Sequence, residues 1–494
     1  MLNPLRLLRS SSKITLVTGV SALINFPLSI FVARAITPDQ LGQINFVTLW
    51  LTYANLVSLG IFAGGQREMI HRLGRNEAQS ALQAQNVALS GEMLWAMLPA
   101  IVILLSSAVF SEPLKQWGLV IISATYLLAT TNKLLANLHL AHQRFDLYAR
   151  LTLVRVLIPP VLIVAFVFSL GPLTLLMAPL LAEGVILTLY FTRAPRLELR
   201  LDFNGRCLRE FGRAGFPLAL AGFIYWAYRL TGQTSVALWF PVEALAFYGF
   251  SANLVTLITR AFGDFASVLT PVLWKELSQS GASQKLYRET SRISLFLIVA
   301  TGAIASLAQA GFAPLIHLIL PTYAQSISIF EVLSLNIIVL TMTFVPSLVL
   351  DSALVNKQWL HLGIWSVGLG IDFGFNYLAV RTGGGLLAIA WNDIWIQLLV
   401  VIALYAAAQP YLYPVRSVAF RVYLRVSVLL IVEAMVFALL RLPLFASEPP
   451  FTLASVAATL GVRVASVLAV WGMIGLIFAR TVWADPARHI IRSR

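Results

Sequence analysis

Charge is what this chain has least of. Only 11% of its 494 residues are Asp, Glu, Lys or Arg, against roughly 25% in soluble domains. That deficit excludes a water-soluble globular protein, which needs charge to cover its surface. Acids are scarcer than bases, 21 against 35, leaving a formal net charge of +14. In a soluble chain this balance points to nucleic acid. In a chain that is 59% hydrophobic it points to basic loops that set membrane orientation and meet anionic headgroups, and no nucleic-acid partner is expected. Cysteine is almost missing: Cys207 stands alone, so neither a disulfide framework nor a Cys/His metal site can form. No P-loop pattern occurs, so ATP is not the direct energy source.

What is present is long apolar sequence. Mean hydropathy is +0.83, and runs of about 20 residues recur along almost the whole length, which predicts an all-α integral membrane protein. A β-barrel would show short alternating segments instead. About fourteen spans are expected: 14–36, 43–64, 85–108, 117–136, 151–170, 173–192, 213–236, 245–268, 291–312, 327–349, 360–380, 385–406, 422–441 and 453–479. Arg6, Arg9 and Lys13 precede the first, which reads as a retained helix rather than a cleaved signal.

Charge tests this division. If alternate segments face the cytoplasm from the N-terminus onward, that side holds 26 Lys and Arg residues. The opposite side holds four (Arg34, Lys115, Arg381, Arg441), and five lie within spans (Lys133, Arg155, Arg229, Arg260, Arg463). The asymmetry predicts cytoplasmic N- and C-termini. The longest basic loop, Thr192 to Arg213, follows the sixth span and divides the chain into two six-helix lobes. The expected domains are 1–200, 201–410 and a C-terminal helix pair with its tail, 411–494. A weak internal echo joins the lobes: Thr37-Pro38-Asp39-Gln40 after the first span matches Phe240-Pro241-Val242-Glu243 after the seventh. Internal repeats in transporters place the substrate site at the repeat interface.

Several spans carry polar residues at helical spacing. Thr18, Ser21, Asn25 and Ser29 share a face of the first, beside Pro27. Asn45, Thr48, Thr52 and Asn55 do so in the second, Gly222, Tyr225, Arg229 and Gln233 in the seventh, and Asn253, Thr256, Arg260, Asp264 and Ser267 in the eighth. In lipid such faces meet protein, water or ligand; they predict either a polar cavity or interhelical hydrogen bonding. Glu92, Lys133, Arg155, Glu183, Asp372, Asp393, Glu433 and Arg463 are intramembrane charges that need partners. Asp372 shares a face with His361, Trp365, Gly368 and Asn376. Asp264, Asp372 and Glu183 are candidates for a Na+ or H+ coupling site, or for structural ion pairs with Lys133 or Arg155.

The stretch Phe31-Val32-Ala33-Arg34-Ala35-Ile36-Thr37-Pro38-Asp39-Gln40-Leu41-Gly42-Gln43 carries a resemblance. With Arg67 to Arg75, Gly215-Phe216-Pro217 and Thr270-Pro271, it resembles the polysaccharide-transporter branch of the multidrug/oligosaccharidyl-lipid/polysaccharide flippase superfamily. Thr37 stands where that family has glycine and Leu41 where it has an aromatic residue. The resemblance implies two pseudo-symmetric lobes around a central cavity, in a flippase of the bacterial inner membrane. Its substrate would be an undecaprenyl-diphosphate-linked oligosaccharide destined for O-antigen, capsule or exopolysaccharide. Its partners would be that substrate, membrane lipids, and polysaccharide polymerase or assembly proteins.

On that implication Arg229, Arg260 and Arg34 are candidate diphosphate ligands, because a guanidinium presents forked donors that suit phosphate. Asp264 at i+4 could neutralise Arg260, and Arg34 could equally clamp the Asp39 turn. Asn25, Tyr225 and Asn253 complete the candidate cavity lining. Tyr225, Trp226 and Tyr228 could stack on sugar rings or simply pack. A lipid II flippase and a cation-coupled multidrug antiporter are the alternatives. An enzyme of the same pathway would need a large outward loop, and the expected outward loops are short.

Overall fold

The computed structural model describes residues 21, 23–75, 77–141, 144–193, 198–259, 284–352, 355–412, 431–432, 435–436, 438, 440 and 453–483. Among these there is no strand; the chain is all-helical. It divides into two compact units, Met1–Gly249 and Phe250–Arg494. Nearly every expected span corresponds to helix in the expected order; the thirteenth, 422–441, lies almost wholly outside the described residues, as do the start of the first and the end of the eighth.

The first unit holds α1 (Leu23–Ala35), α2 (Pro38–Leu56), α3 (Ile61–Gly74), α4 (Ala78–Ser106), α5 (Pro113–Ala141), α6 (Phe145–Leu170), α7 (Thr174–Arg193), α8 (Gly205–Arg229) and α9 (Thr231–Trp239). α10 (Val242–Thr259) carries the chain into the second unit. That unit holds α11 (Gln284–Ile319), α12 (Gln325–Leu350), α13 (Gln358–Arg381), α14 (Leu386–Leu412) and α15 (Leu453–Trp483). Eight segments among the described residues are long and apolar enough to cross a membrane. One of them, Asp146–Arg193, has 48 residues, about 72 Å of helix against a hydrocarbon thickness of ~30 Å. Gly171, with φ +64°, breaks it between α6 and α7, so it provides two crossings.

The turn after α1 forms as the sequence predicts. Thr37 caps α2: its hydroxyl accepts from the Gln40 amide, and the Gln40 side chain accepts from the Thr37 amide. Pro38 opens the helix, where its missing N–H costs nothing. Asp39 accepts from Gln43 at 2.9 Å, and no hydrogen bond or ion pair joins it to the exposed Arg34.

The second expected span is not continuous. α2 stops at Leu56, and α3 begins at Ile61 after a bend of 45°. Gly60 takes φ +71°, a left-handed conformation that glycine reaches without Cβ strain. A Cβ on Gly60 would strike the backbone of Gly215, and one on Gly64 the carbonyl of Phe211. α3 and α8 therefore touch backbone to backbone, as small residues allow in membrane bundles. The seventh expected span is likewise divided at Leu230. There Thr231 Oγ1 turns back to the carbonyls of Ala227 and Tyr228.

Packing is inside-out relative to a soluble protein. Gln85, Asn86, Ser90, Asn132, Glu183, Asp372, Asn376 and Gln397 are buried, while Leu98, Ile101, Val161, Phe168, Val367 and Phe375 are exposed. Lipid covers the apolar side chains, and the bundles enclose the polar ones. Within the first unit α5 packs against α2, α4 and α7, and α8, assigned from sequence to the second lobe, packs along α3. Within the second, α12 packs on α11 and α14, and α15 packs on α11. There the Trp471 ring lies against Gly302, and its indole N–H donates to Ser306 at 2.9 Å.

Candidate functional site

Three polar faces of the first unit carry the candidate substrate contacts. On α1, Asn25 donates to the carbonyl and hydroxyl of Ser21 at 2.8 and 3.0 Å, so its amide is turned along its own helix. On α2, Thr48 and Thr52 bond the preceding turns, and Asn45 reaches the Leu245 carbonyl at 3.3 Å. On α8, Arg229 occupies the last turn, where a cation complements the helix dipole. Its guanidinium lies over the Trp226 ring, 5.0 Å from the centroid, and Tyr225 meets Trp226 edge-on at 5.8 Å. Tyr225, Trp226 and Arg229 are half-buried; Tyr228 is buried.

The echo between the two proline turns has a physical counterpart. A Cβ on Gly42 would collide with the Val242 carbonyl, and one on Gly249 would press on the Asn45 amide. The start of α2 thus lies directly against the start of α10. That contact requires the glycine that ends the Arg34-to-Gly42 motif.

Two intramembrane acids of this unit, the buried Glu183 and the half-buried Glu92, have defined partners. Glu183 Oε2 accepts from Asn132 Nδ2 and Arg155 Nη2, both at 2.7 Å, which ties α5, α6 and α7 together. Arg155 is the ion-pair partner; Lys133 is exposed. Glu92 on α4 spans the break in the second crossing. Its carboxylate accepts from Ser58 Oγ at 2.7 Å and from the Phe62 amide at 3.2 Å, so it caps the first turn of α3 from outside the helix. Sequence reasoning found Glu92 but not its task; Ser58 and Gly60 inside an apolar run were the available signal.

In the second unit the buried residues of α13 are Trp365, Gly368, Asp372 and Asn376, the face its spacing predicts. Asn392 of α14 donates to Asn376 at 3.1 Å. Trp365 donates to His361 Nε2 at 2.8 Å, which leaves the His361 Nδ1 proton for Asp351, also at 2.8 Å. Asn253 is exposed on α10. Arg260, Asp264 and Glu433 lie outside the described residues. Arg463 of α15 is buried and reaches the carbonyls of Ala310 and Leu440 at 3.4 Å. Among the described residues no group of three or more His, Cys, Asp and Glu side chains could hold a metal ion.

Long apolar helices with polar side chains buried between them define a multi-pass membrane protein. The solved structures it resembles agree. A lipid II flippase, MurJ, in an inward closed conformation superimposes with a TM-score of 0.66 at 10% identity, over 95% of this chain and 99% of that one. An inward-facing multidrug resistance MATE transporter of the MOP superfamily gives 0.63 at 13%, over 85% and 98%. A MOP superfamily transporter from Pyrococcus furiosus, described by the reverse polarity of its binding pocket, gives 0.57 at 12%, over 85% and 96%. These likenesses place the fold among MOP-type transporters. A family model described as polysaccharide biosynthesis protein matches residues 31–300, more than half the chain, and the chain belongs to that family. No curated protein matches it.

Proposed function

We propose that the protein flips an undecaprenyl-diphosphate-linked oligosaccharide from the cytoplasmic to the periplasmic leaflet of the bacterial inner membrane, for assembly into O-antigen, capsule or exopolysaccharide. The observation that carries this reading is the polysaccharide-biosynthesis family match across residues 31–300, on a fold shared with a lipid II flippase. The movement is alternating access: two lobes, 1–200 and 201–410, rock to expose a cargo first inward and then outward. The pair in 411–494 is appended to them. Both termini face the cytoplasm, in keeping with the 26-to-4 distribution of Lys and Arg. Polymerase or assembly proteins take the cargo onward.

Arg229 is the residue assigned to the diphosphate, with Arg34 and Arg260 as further cations along the path. Its forked donors suit phosphate oxygens, and the rings of Trp226 and Tyr225 beside it offer flat faces for a sugar. Asp372, buried on the polar face of α13, is assigned to Na+ or H+ coupling, with Asp264 and Glu183 as further candidates, because intramembrane acids mark coupling-ion paths. The test is Arg229→Ala, with protein level followed by immunoblot. Surface polysaccharide should disappear while the protein persists; normal polysaccharide removes Arg229 from the path. Lipid II is the second reading of the cargo, favoured by the likeness over 95% of this chain.

A further inference from the structure

The segment between α7 and α8 takes no part in the sites above, yet it is built with care. Residues 198–204 run without helix along α4, and three α4 side chains hold their backbone. Gln85 Nε2 donates to the Glu198 carbonyl at 3.5 Å. The Arg200 amide donates to Asn86 Oδ1 at 3.2 Å, and the Asp202 amide to Ser90 Oγ at 2.9 Å. Gln85, Asn86 and Ser90 are buried. Alternate residues of an extended chain share a face. The odd-numbered face here carries Leu199, Leu201 and Phe203, with Leu201 72% and Phe203 52% exposed.

α4 itself gives the depth of this strap. Its outward apolar side chains begin at Leu94 and continue through Leu98, Ile101 and Leu105. Leu94 is one turn, about 6 Å, beyond Ser90. The strap therefore lies at the rim of the lipid-facing band, where an exposed apolar edge meets acyl chains rather than water. The rim is also basic: Arg193, Arg200, Arg206, Arg209 and Arg213 are exposed, and Arg206 lies 3.6 Å from Glu210.

We propose that residues 198–204 are an interfacial strap that binds anionic phospholipid of the leaflet it faces. Leu199, Leu201 and Phe203 enter the boundary between headgroups and acyl chains. Arg200, Arg206 and Arg209 hold the headgroup phosphates, each worth about fivefold in local enrichment of anionic lipid. The proposal needs only a membrane-embedded chain and does not depend on the cargo.

The experiment uses the full-length protein with Cys207→Ser and Leu201→Cys, labelled with a polarity-sensitive fluorophore and reconstituted into vesicles with or without phosphatidylglycerol. The expected result is blue-shifted emission, quenching by lipids spin-labelled near the headgroup, and protection from aqueous iodide. Phosphatidylglycerol should strengthen the lipid quenching, and Arg200→Gln with Arg209→Gln should remove that gain. A label quenched by iodide and indifferent to spin-labelled lipid overturns the strap. Lipid quenching that ignores phosphatidylglycerol overturns the anionic preference. Phe203→Cys repeats the measurement if the Leu201 variant fails to fold.

Discussion

At the residue scale, one glycine and one acid explain much of what the sequence left open. Gly42 closes the Arg34-to-Gly42 motif because α10 passes with its Val242 carbonyl where a side chain would stand. Gly42→Ala should therefore cost about 1–3 kcal/mol, as overpacking does, and lower the thermal unfolding midpoint in detergent by several degrees; an unchanged midpoint would show that the contact yields. The Glu92 carboxylate accepts from both Ser58 and the Phe62 amide across the break. Glu92→Ala leaves both donors unmet, at about 1–3 kcal/mol. Glu92→Gln keeps an acceptor oxygen and should fall between Ala and wild type in the same melting assay. Lys115 shows how a cation at the start of α5 is compensated: it pairs with Glu112 at 2.9 Å and lies over the rings of Phe46 and Phe110.

At the element scale, helix order and the buried face of α13 were legible because both are periodic properties of local sequence. Apolar runs of bilayer length announce spans, and Trp365, Gly368, Asp372 and Asn376 fall on one side of any helix. The break between α2 and α3 was not legible. Hydropathy averages over Ser58 and Gly60, and the reason for the bend lies in Gly215, far along the chain. Nor could spacing choose between Lys133 and Arg155 as the partner of Glu183, since that choice belongs to the packing of α5, α6 and α7. The pair makes its own prediction. Arg155→Met alone strands a buried carboxylate and should lower the unfolding midpoint, by an amount below the 3–5 kcal/mol of a fully buried pair because Arg155 is 37% exposed. Adding Glu183→Leu should recover much of the loss. A stable double variant that still supports surface polysaccharide makes the pair structural; a stable but inactive one gives Glu183 a part in coupling.

At the scale of the whole molecule, a polysaccharide-biosynthesis family match, a MOP-type fold and an asymmetric charge distribution stand together. The distribution predicts that Cys207, in the first turn of α8, faces the cytoplasm. A membrane-impermeant maleimide should label it in inside-out vesicles and spare it in intact spheroplasts; the opposite pattern reverses the orientation. The candidate contacts were legible only in part. Arg229 announced itself as a cation within a span, but the Trp226 ring beneath it and the burial of Tyr228 are products of the fold. Arg260 and Asp264 fall outside the described residues, so their roles rest on sequence alone. Cargo is read most directly from what accumulates without the protein. Lipid-linked intermediates should be extracted from a gene-deletion strain, and from the same strain carrying wild type or Arg229→Ala, and identified by mass spectrometry. A build-up of undecaprenyl-diphosphate-linked oligosaccharide that wild type relieves and Arg229→Ala does not is the expected result; accumulation of lipid II instead, or of no lipid-linked glycan, would contradict the proposed function.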